Sequence, residues 1–202
     1  KQKTPSDFYT KNKVSVKNPL IALLPGSRKQ EIKRMIKTLA ETSKKFLNYQ
    51  FVLAGAPGIE INWYKKYLSD TNIVVVKNQT YDLLKVSKAA IVSSGTATLE
   101  TAIIGTPQVV CYKTNFFTYQ IAKRLVKLKF ISLVNLISNK KIVEELIQKK
   151  FTVDNLSIAL KKILYKKNQN AIKKEYQKLI SKLGVRSASK TTARLIVNSI
   201  KS

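Results

Sequence analysis

From residue 19 onward, short apolar runs alternate with stretches in which apolar positions recur every three or four residues. The runs are Leu20–Leu24, Phe51–Ala54, Ile73–Val76, Ala89–Val92 and Pro107–Cys111. The first intervening stretch carries Ile32, Met35, Ile36, Leu39, Ala40 and Phe46 on one helical face, and shorter helical patterns fall near 60–68, 80–87 and 97–104. A strand whose every residue is apolar is buried on both sides, which happens when crossover helices cover both faces of a parallel sheet. The alternation predicts five parallel strands, with ligands held beyond their carboxyl ends. Both loops of interest, 25–28 and 93–96, fall at such ends.

Beyond 113 the strands are expected to stop. Helical patterns continue near 116–129, 141–149, 153–166, 168–183 and 187–200, and Gly184 marks a helix end. Residues 1–18 are polar and lysine-rich, broken by Pro5 and Pro19, and read as a linker entering a domain. The fold class expected is α/β: a doubly wound, Rossmann-like sheet over 19–150, followed by a helical extension over 151–202.

Four segments carry candidate chemistry. Leu24-Pro25-Gly26-Ser27-Arg28 runs a strand into a helix start, where free N–H groups and the helix dipole favour an anion. Arg28 adds a planar donor fork suited to phosphate. The alternative is a plain turn with Ser27 as the helix cap. It is not a P-loop, because the Lys-Ser/Thr ending is absent.

In the second segment, Ser93-Ser94-Gly95-Thr96-Ala97-Thr98-Leu99-Glu100, small residues let a diphosphate approach the backbone. Thr96 can donate its hydroxyl to a phosphate, and Glu100, one turn on, can accept from ribose hydroxyls. The alternative is a capping box closed by Glu100. The third segment follows Tyr112-Lys113: Phe117, Ile121, Leu125 and Leu128 share one helical face, while Lys123, Arg124, Lys127 and Lys129 crowd the others. That pattern suits a helix at a membrane surface or one packed on its own core. In the fourth, Asn135 stands within the apolar stretch 131–137, where its amide needs partners: it serves a turn or holds a ligand.

Composition narrows the chemistry. The 202-residue chain has no histidine, which closes every histidine-based mechanism to it alone. Its single cysteine, Cys111, lies in an apolar run and reads as a buried thiol. No apolar run reaches the length of about 18 residues that marks a spanning helix. The net charge of +27 comes almost wholly from evenly spread lysines, with only five arginines among 38 basic residues. Nucleic-acid readers concentrate charge on one face and favour arginine. Codon bias toward Lys, Ile and Asn accounts for part of the charge, and attraction to an anionic membrane surface or to nucleic acid are the remaining readings.

Together, LLPGSRKQEI at 23–32, SSGTATLETA at 93–102, VVCYKTNFFTYQIAKRLVKLKFISLVNL at 109–136 and a weaker IVEELIQ at 142–148 resemble the lipid-A-disaccharide synthase family over roughly residues 20–150. The resemblance implies the carboxyl-terminal, donor-binding half of a GT-B fold. Its reaction moves 2,3-diacylglucosamine from UDP to 2,3-diacylglucosamine 1-phosphate, inverting the anomeric centre to give a β-1,6 disaccharide, with no cofactor and no metal. It implies substrate contacts at Gly26, Ser27, Arg28, Ser94, Gly95, Thr96, Ala97, Glu100 and Asn135. Val134 departs from the proline usual before that asparagine.

It further implies lipid or membrane contact through Phe117, Ile121, Lys123, Arg124 and Lys127. The remaining implications are a cytoplasmic, peripheral place on the inner face of the inner membrane, no specific nucleic-acid partner, and a catalytic base in a missing amino-terminal domain. Two alternatives stand beside this: another GT-B UDP-sugar enzyme of the peptidoglycan transferase or epimerase type, and a non-catalytic basic domain binding RNA or membrane.

Overall fold

The structure, a computed structural model, describes residues 5–114 and 129–184. Six parallel strands form one sheet in the order β3-β2-β1-β4-β5-β6. They are β1 (Leu20–Leu24), β2 (Gln50–Gly55), β3 (Val74–Lys77), β4 (Ser87–Ser93), β5 (Gln108–Tyr112) and β6 (Glu144–Ile147). The helices are α1 (Pro5–Asn12), α2 (Lys29–Ser43), α3 (Ile61–Leu68), α4 (Thr80–Val86), α5 (Thr96–Ile104), α6 (Leu133–Ser138), α7 (Val153–Leu164) and α8 (Lys166–Leu183). The order is that of a doubly wound, Rossmann-like sheet, as the alternation of runs and helices predicts.

Successive strand residues point to opposite faces, and the core divides accordingly. Ile21 and Leu23 of β1 join Ile91 of β4 and Val109 and Cys111 of β5 beneath α2 and α7. Leu20, Ala22 and Leu24 join Ala90 and Val92 on the other face, under Leu83 and Leu84 of α4. A third cluster, around Val110, is closed by Ala102 of α5, Val134 of α6, and Tyr176 and Leu179 of α8. Ile32, Met35, Ile36 and Leu39 of α2 are almost wholly buried. At about 1.5–3 kcal/mol per buried aliphatic side chain, that stripe holds the helix to the sheet.

Two sequence expectations differ from the structure. The segment 141–149 is not helical: Glu144–Ile147 adds a sixth strand, parallel to β5. Ile142, Val143, Leu146 and Ile147 satisfy a helical face as well as a strand, and pairing with the open edge of β5 decides between them. Residues within 1–18 are not all linker: α1 folds back on α4, burying Phe8 and Val14 against the sheet. Asn12 and Gln79 exchange two amide hydrogen bonds of 3.1 Å there. The helices after 151 extend the domain as expected, and they pack on it: Leu156, Leu160 and Ile163 of α7 belong to the largest core cluster. The helices expected near 116–129 and 187–200 fall almost wholly outside the described residues. Among the described residues no helix is long and apolar enough to cross a membrane.

Candidate functional site

β1 and β4 are neighbours in the sheet, yet the helices that follow them go to opposite faces. The loops leaving these strands diverge and leave a crevice, the usual ligand position on such a sheet. A cavity of ≈ 430 Å³ lies there, walled by Gly26, Ser27 and Glu31 after β1 and by Ser93, Ser94, Gly95, Thr96, Ala97 and Glu100 after β4. Ala54 to Pro57, after β2, form its side. The Tyr64 hydroxyl fixes that side by accepting the buried Ala56 N–H at 2.8 Å. The two glycine loops picked out in the sequence meet in one place.

Neither helix start is sealed by a side chain. The residue at the head of α2 is Arg28, with extended backbone (φ −105°, ψ 134°) and no capping bond, so Ser27 is not the cap. Gly95 heads α5, again with no side-chain cap, so Glu100 closes no capping box. The first N–H groups of a helix have no partner inside it, and here two sets of them converge with their positive dipole ends on a cavity. The loops turn through glycine for physical reasons. Gly26 has φ +108°, and a Cβ there would stand 3.0 Å from the Glu31 Oε2 atom; Gly95 has φ +148°.

Arg28 is not among the residues that wall the cavity, whereas Glu31 and Glu100 are. Arg28 is 81% exposed and pairs with Glu31 at 3.2 Å. A guanidinium so exposed can turn to an incoming anion at small cost. Glu100 separates this cavity from an adjoining one of ≈ 370 Å³ lined by Asn78, Gln79, Thr80, Tyr81 and Asp82. Tyr81 faces the Glu100 carboxylate and hydrogen-bonds to it, and that negative charge raises the phenol above its ordinary range. A third cavity, of ≈ 400 Å³, opens at the opposite end of the sheet beside Ser43 and Lys44. The negative end of the α2 dipole points there, so it lacks the anion preference of the first.

Two expected ligand contacts are otherwise employed. Asn135 is fully buried and lines neither cavity at the switch point. Its Oδ1 accepts the Ile142 and Val143 N–H groups at 2.7 and 3.0 Å, while its Nδ2 donates to the Val143 carbonyl and the Glu145 carboxylate at 2.9 and 2.8 Å. The amide is spent on the chain, which is the turn-serving alternative read for Asn135 in the sequence. Ser94 does line the cavity, but its hydroxyl donates to the Ile131 carbonyl at 3.0 Å and its N–H to the Cys111 carbonyl at 3.1 Å. It therefore shapes the wall and has no hydrogen left to donate. Phe117, Ile121, Lys123, Arg124 and Lys127 lie outside the described residues. Sequence reading passed over Glu31, Tyr81 and Glu145. For Tyr81 one signal was available: an aromatic residue in the first turn of the helix that follows β3, at the same sheet end as the glycine loops.

The strand order and the switch-point cavity define a doubly wound α/β domain of the kind found in GT-B glycosyltransferases. The fold is shared with WaaG, a glycosyltransferase involved in lipopolysaccharide biosynthesis, at TM-score 0.62 and 15% identity over 97% of this chain and 51% of that one. It is shared also with the UDP-GlcNAc 2-epimerase of Neisseria meningitidis, at TM-score 0.54 and 15% identity over 89% of this chain and 47% of that one.

The chain belongs to the lipid-A-disaccharide synthetase family, whose model matches residues 1–198. It is 33% identical to the lipid-A-disaccharide synthase of Syntrophus aciditrophicus over 90% of this chain and 49% of that protein. Against the enzyme of Psychromonas ingrahamii it is 37% identical, over 76% of this chain and 42% of that protein. The chain thus spans about half the length of the relatives it matches.

Proposed function

We propose that this chain holds the UDP-sugar donor of a lipid A disaccharide-forming transfer. In that reaction 2,3-diacylglucosamine passes from UDP to 2,3-diacylglucosamine 1-phosphate with inversion, forming the β-1,6 link. The observation that carries this reading is the meeting of two uncapped helix starts at one cavity, with the Glu100 carboxylate one turn behind.

The donor's diphosphate lies between the heads of α2 and α5. As the bond from sugar to diphosphate breaks, negative charge grows on the β-phosphate oxygens. The N–H groups of both helix starts oppose that charge from fixed positions, so little reorganisation is needed at the moment of reaction, and the exposed Arg28 guanidinium turns in to join them. Thr96 donates its hydroxyl to a phosphate oxygen. Glu100 accepts from the ribose hydroxyls, and the exposed Tyr81 ring offers a face to the uracil in the adjoining cavity.

The acceptor hydroxyl needs a base. Glu31 is paired with Arg28, and Glu100 is engaged with Tyr81 and the ribose. The family resemblance implies a base from a further domain across the cleft, so that the chain alone binds donor without turnover. The +27 charge draws it to the anionic inner face of the inner membrane, where Phe117, Ile121, Lys123, Arg124 and Lys127 meet the acylated substrates.

Calorimetry on the chain tests the donor reading: affinity should fall from UDP to UMP to uridine, and pyrophosphate alone should not replace UDP. Equal affinity for UDP and UMP, or binding that tracks charge alone and collapses with salt, would refute it. Sedimentation with phosphatidylglycerol vesicles checks the membrane arm; retention that is unaffected by salt, or absent at low salt, rejects it.

A further inference from the structure

Glu145 stands on the edge strand β6, outside the cavity, yet its carboxylate collects four hydrogen bonds. Oε2 accepts the Ile131 N–H at 3.0 Å; Oε1 accepts the Ser132 N–H at 3.0 Å, the Ser132 hydroxyl at 2.7 Å and the Asn135 amide at 2.8 Å. Four donors on one side chain fix its position far more tightly than any single bond. One of those partners leads directly to the cavity. The peptide group joining Ile131 to Ser132 gives its N–H to Glu145, and its carbonyl accepts the Ser94 hydroxyl at 3.0 Å. A carboxylate on the N–H side of a peptide polarises it and strengthens the carbonyl as an acceptor. Asn135 braces the far side through the backbone of Ile142 and Val143, at the entry to β6.

We propose that Glu145 is the positioning residue of the phosphate loop: through one peptide group and the Ser94 hydroxyl, it sets the Gly95–Thr96 helix start at the depth a diphosphate requires. The inference rests on the donor-site reading above. Without Glu145 the 131–135 turn loses its common anchor and Ser94 loses a polarised, fixed acceptor. The loop then samples other depths, and N–H groups pre-set for phosphate must be ordered at the moment of binding. The effect belongs to the diphosphate and not to the nucleoside, because Tyr81 lies in the adjoining cavity, which neither Ser94 nor Gly95 lines.

The test is a double-mutant cycle on the full chain, with UDP and uridine as probes and melting temperature recorded beside affinity. Glu145→Gln keeps the side chain's shape but turns one acceptor oxygen into a donor facing the Ile131 N–H. UDP affinity should fall about tenfold, within the coupling range of contacting residues, while uridine affinity stays within twofold of wild type. Ser94→Ala should cost a similar amount, and adding E145Q to S94A should cost UDP nothing further. A purely structural role predicts the opposite: a lowered melting temperature with UDP loss that is absent, equal for uridine, or fully additive with S94A. Any of these overturns the proposal. Should E145Q not fold, Ser132→Ala removes one of the four donors, leaves both backbone bonds, and carries the same cycle with a smaller expected loss. A wild-type chain that does not bind UDP sinks the donor-site reading and this inference together; wild-type binding with an unaltered E145Q sinks the inference alone.

Discussion

Replacing Arg28 with alanine separates binding from folding, because its native contact is weak and its ligand contact is strong. In the free chain the Arg28 side chain is 81% exposed and forms an i,i+3 ion pair with Glu31 at 3.2 Å. Such exposed pairs contribute about 0.3–0.5 kcal/mol, so stability should barely change. With UDP bound, a guanidinium–phosphate contact is worth about 1.5–3 kcal/mol. Its loss also leaves Glu31 without a counter-charge in the wall of the same cavity.

A net penalty of about 2 kcal/mol, roughly thirtyfold in the dissociation constant, follows. Removing Glu31 as well should recover part of it, to a loss of about tenfold. Lysine at 28 keeps the charge without the planar fork and should fall between wild type and alanine. Titration calorimetry with UDP and uridine, paired with urea melts, reads all three quantities. If R28A binds UDP within twofold of wild type, or loses uridine equally, Arg28 does not face the diphosphate.

Four further outcomes are expected. Gly26→Ala forces a Cβ to 3.0 Å from Glu31 Oε2 at φ +108°, so urea melts should show a loss of about 1–3 kcal/mol together with weaker UDP binding. Glu100→Gln should abolish the preference for UDP over 2′-deoxy-UDP in competition binding; a preference that survives moves the ribose elsewhere. In the wild type the negative Glu100 opposes ionisation of the Tyr81 phenol and raises it, so an ultraviolet pH titration of E100Q should show one tyrosine ionising at lower pH than before. Tyr64→Phe leaves the buried Ala56 N–H without its acceptor, and thermal or urea melts should register a cost of about 1–3 kcal/mol.

The parallel core was legible because it imposes unbroken apolar runs. Leu20–Leu24 matches β1 residue for residue, and the other strands expected differ by a few residues at their ends. The two glycine loops were legible because glycine beside Ser or Thr at a strand end marks a turn with a backbone reason. Other features left no local signal. In α1 the anchors on the core are Phe8 and, partly buried, Tyr9, with Val14 just beyond its end, in a short segment otherwise polar. The strand character of Glu144–Ile147 is set by the open edge of β5, a tertiary fact that periodicity does not contain. Asn135 could be singled out as a polar residue in an apolar run, but whether its amide meets a ligand or the chain depends on Val143 and Glu145, eight and ten residues later. Glu145, one of many charged residues, has nothing in its sequence context to set it apart.

Because α2 and α5 lie on opposite faces of the sheet and touch the same cavity only at their tips, a molecule seated there acts as a strut between the upper and lower layers. Occupancy should therefore slow amide exchange in both helices at once, and stiffening of one layer without the other would mean that the guest is grasped from a single side.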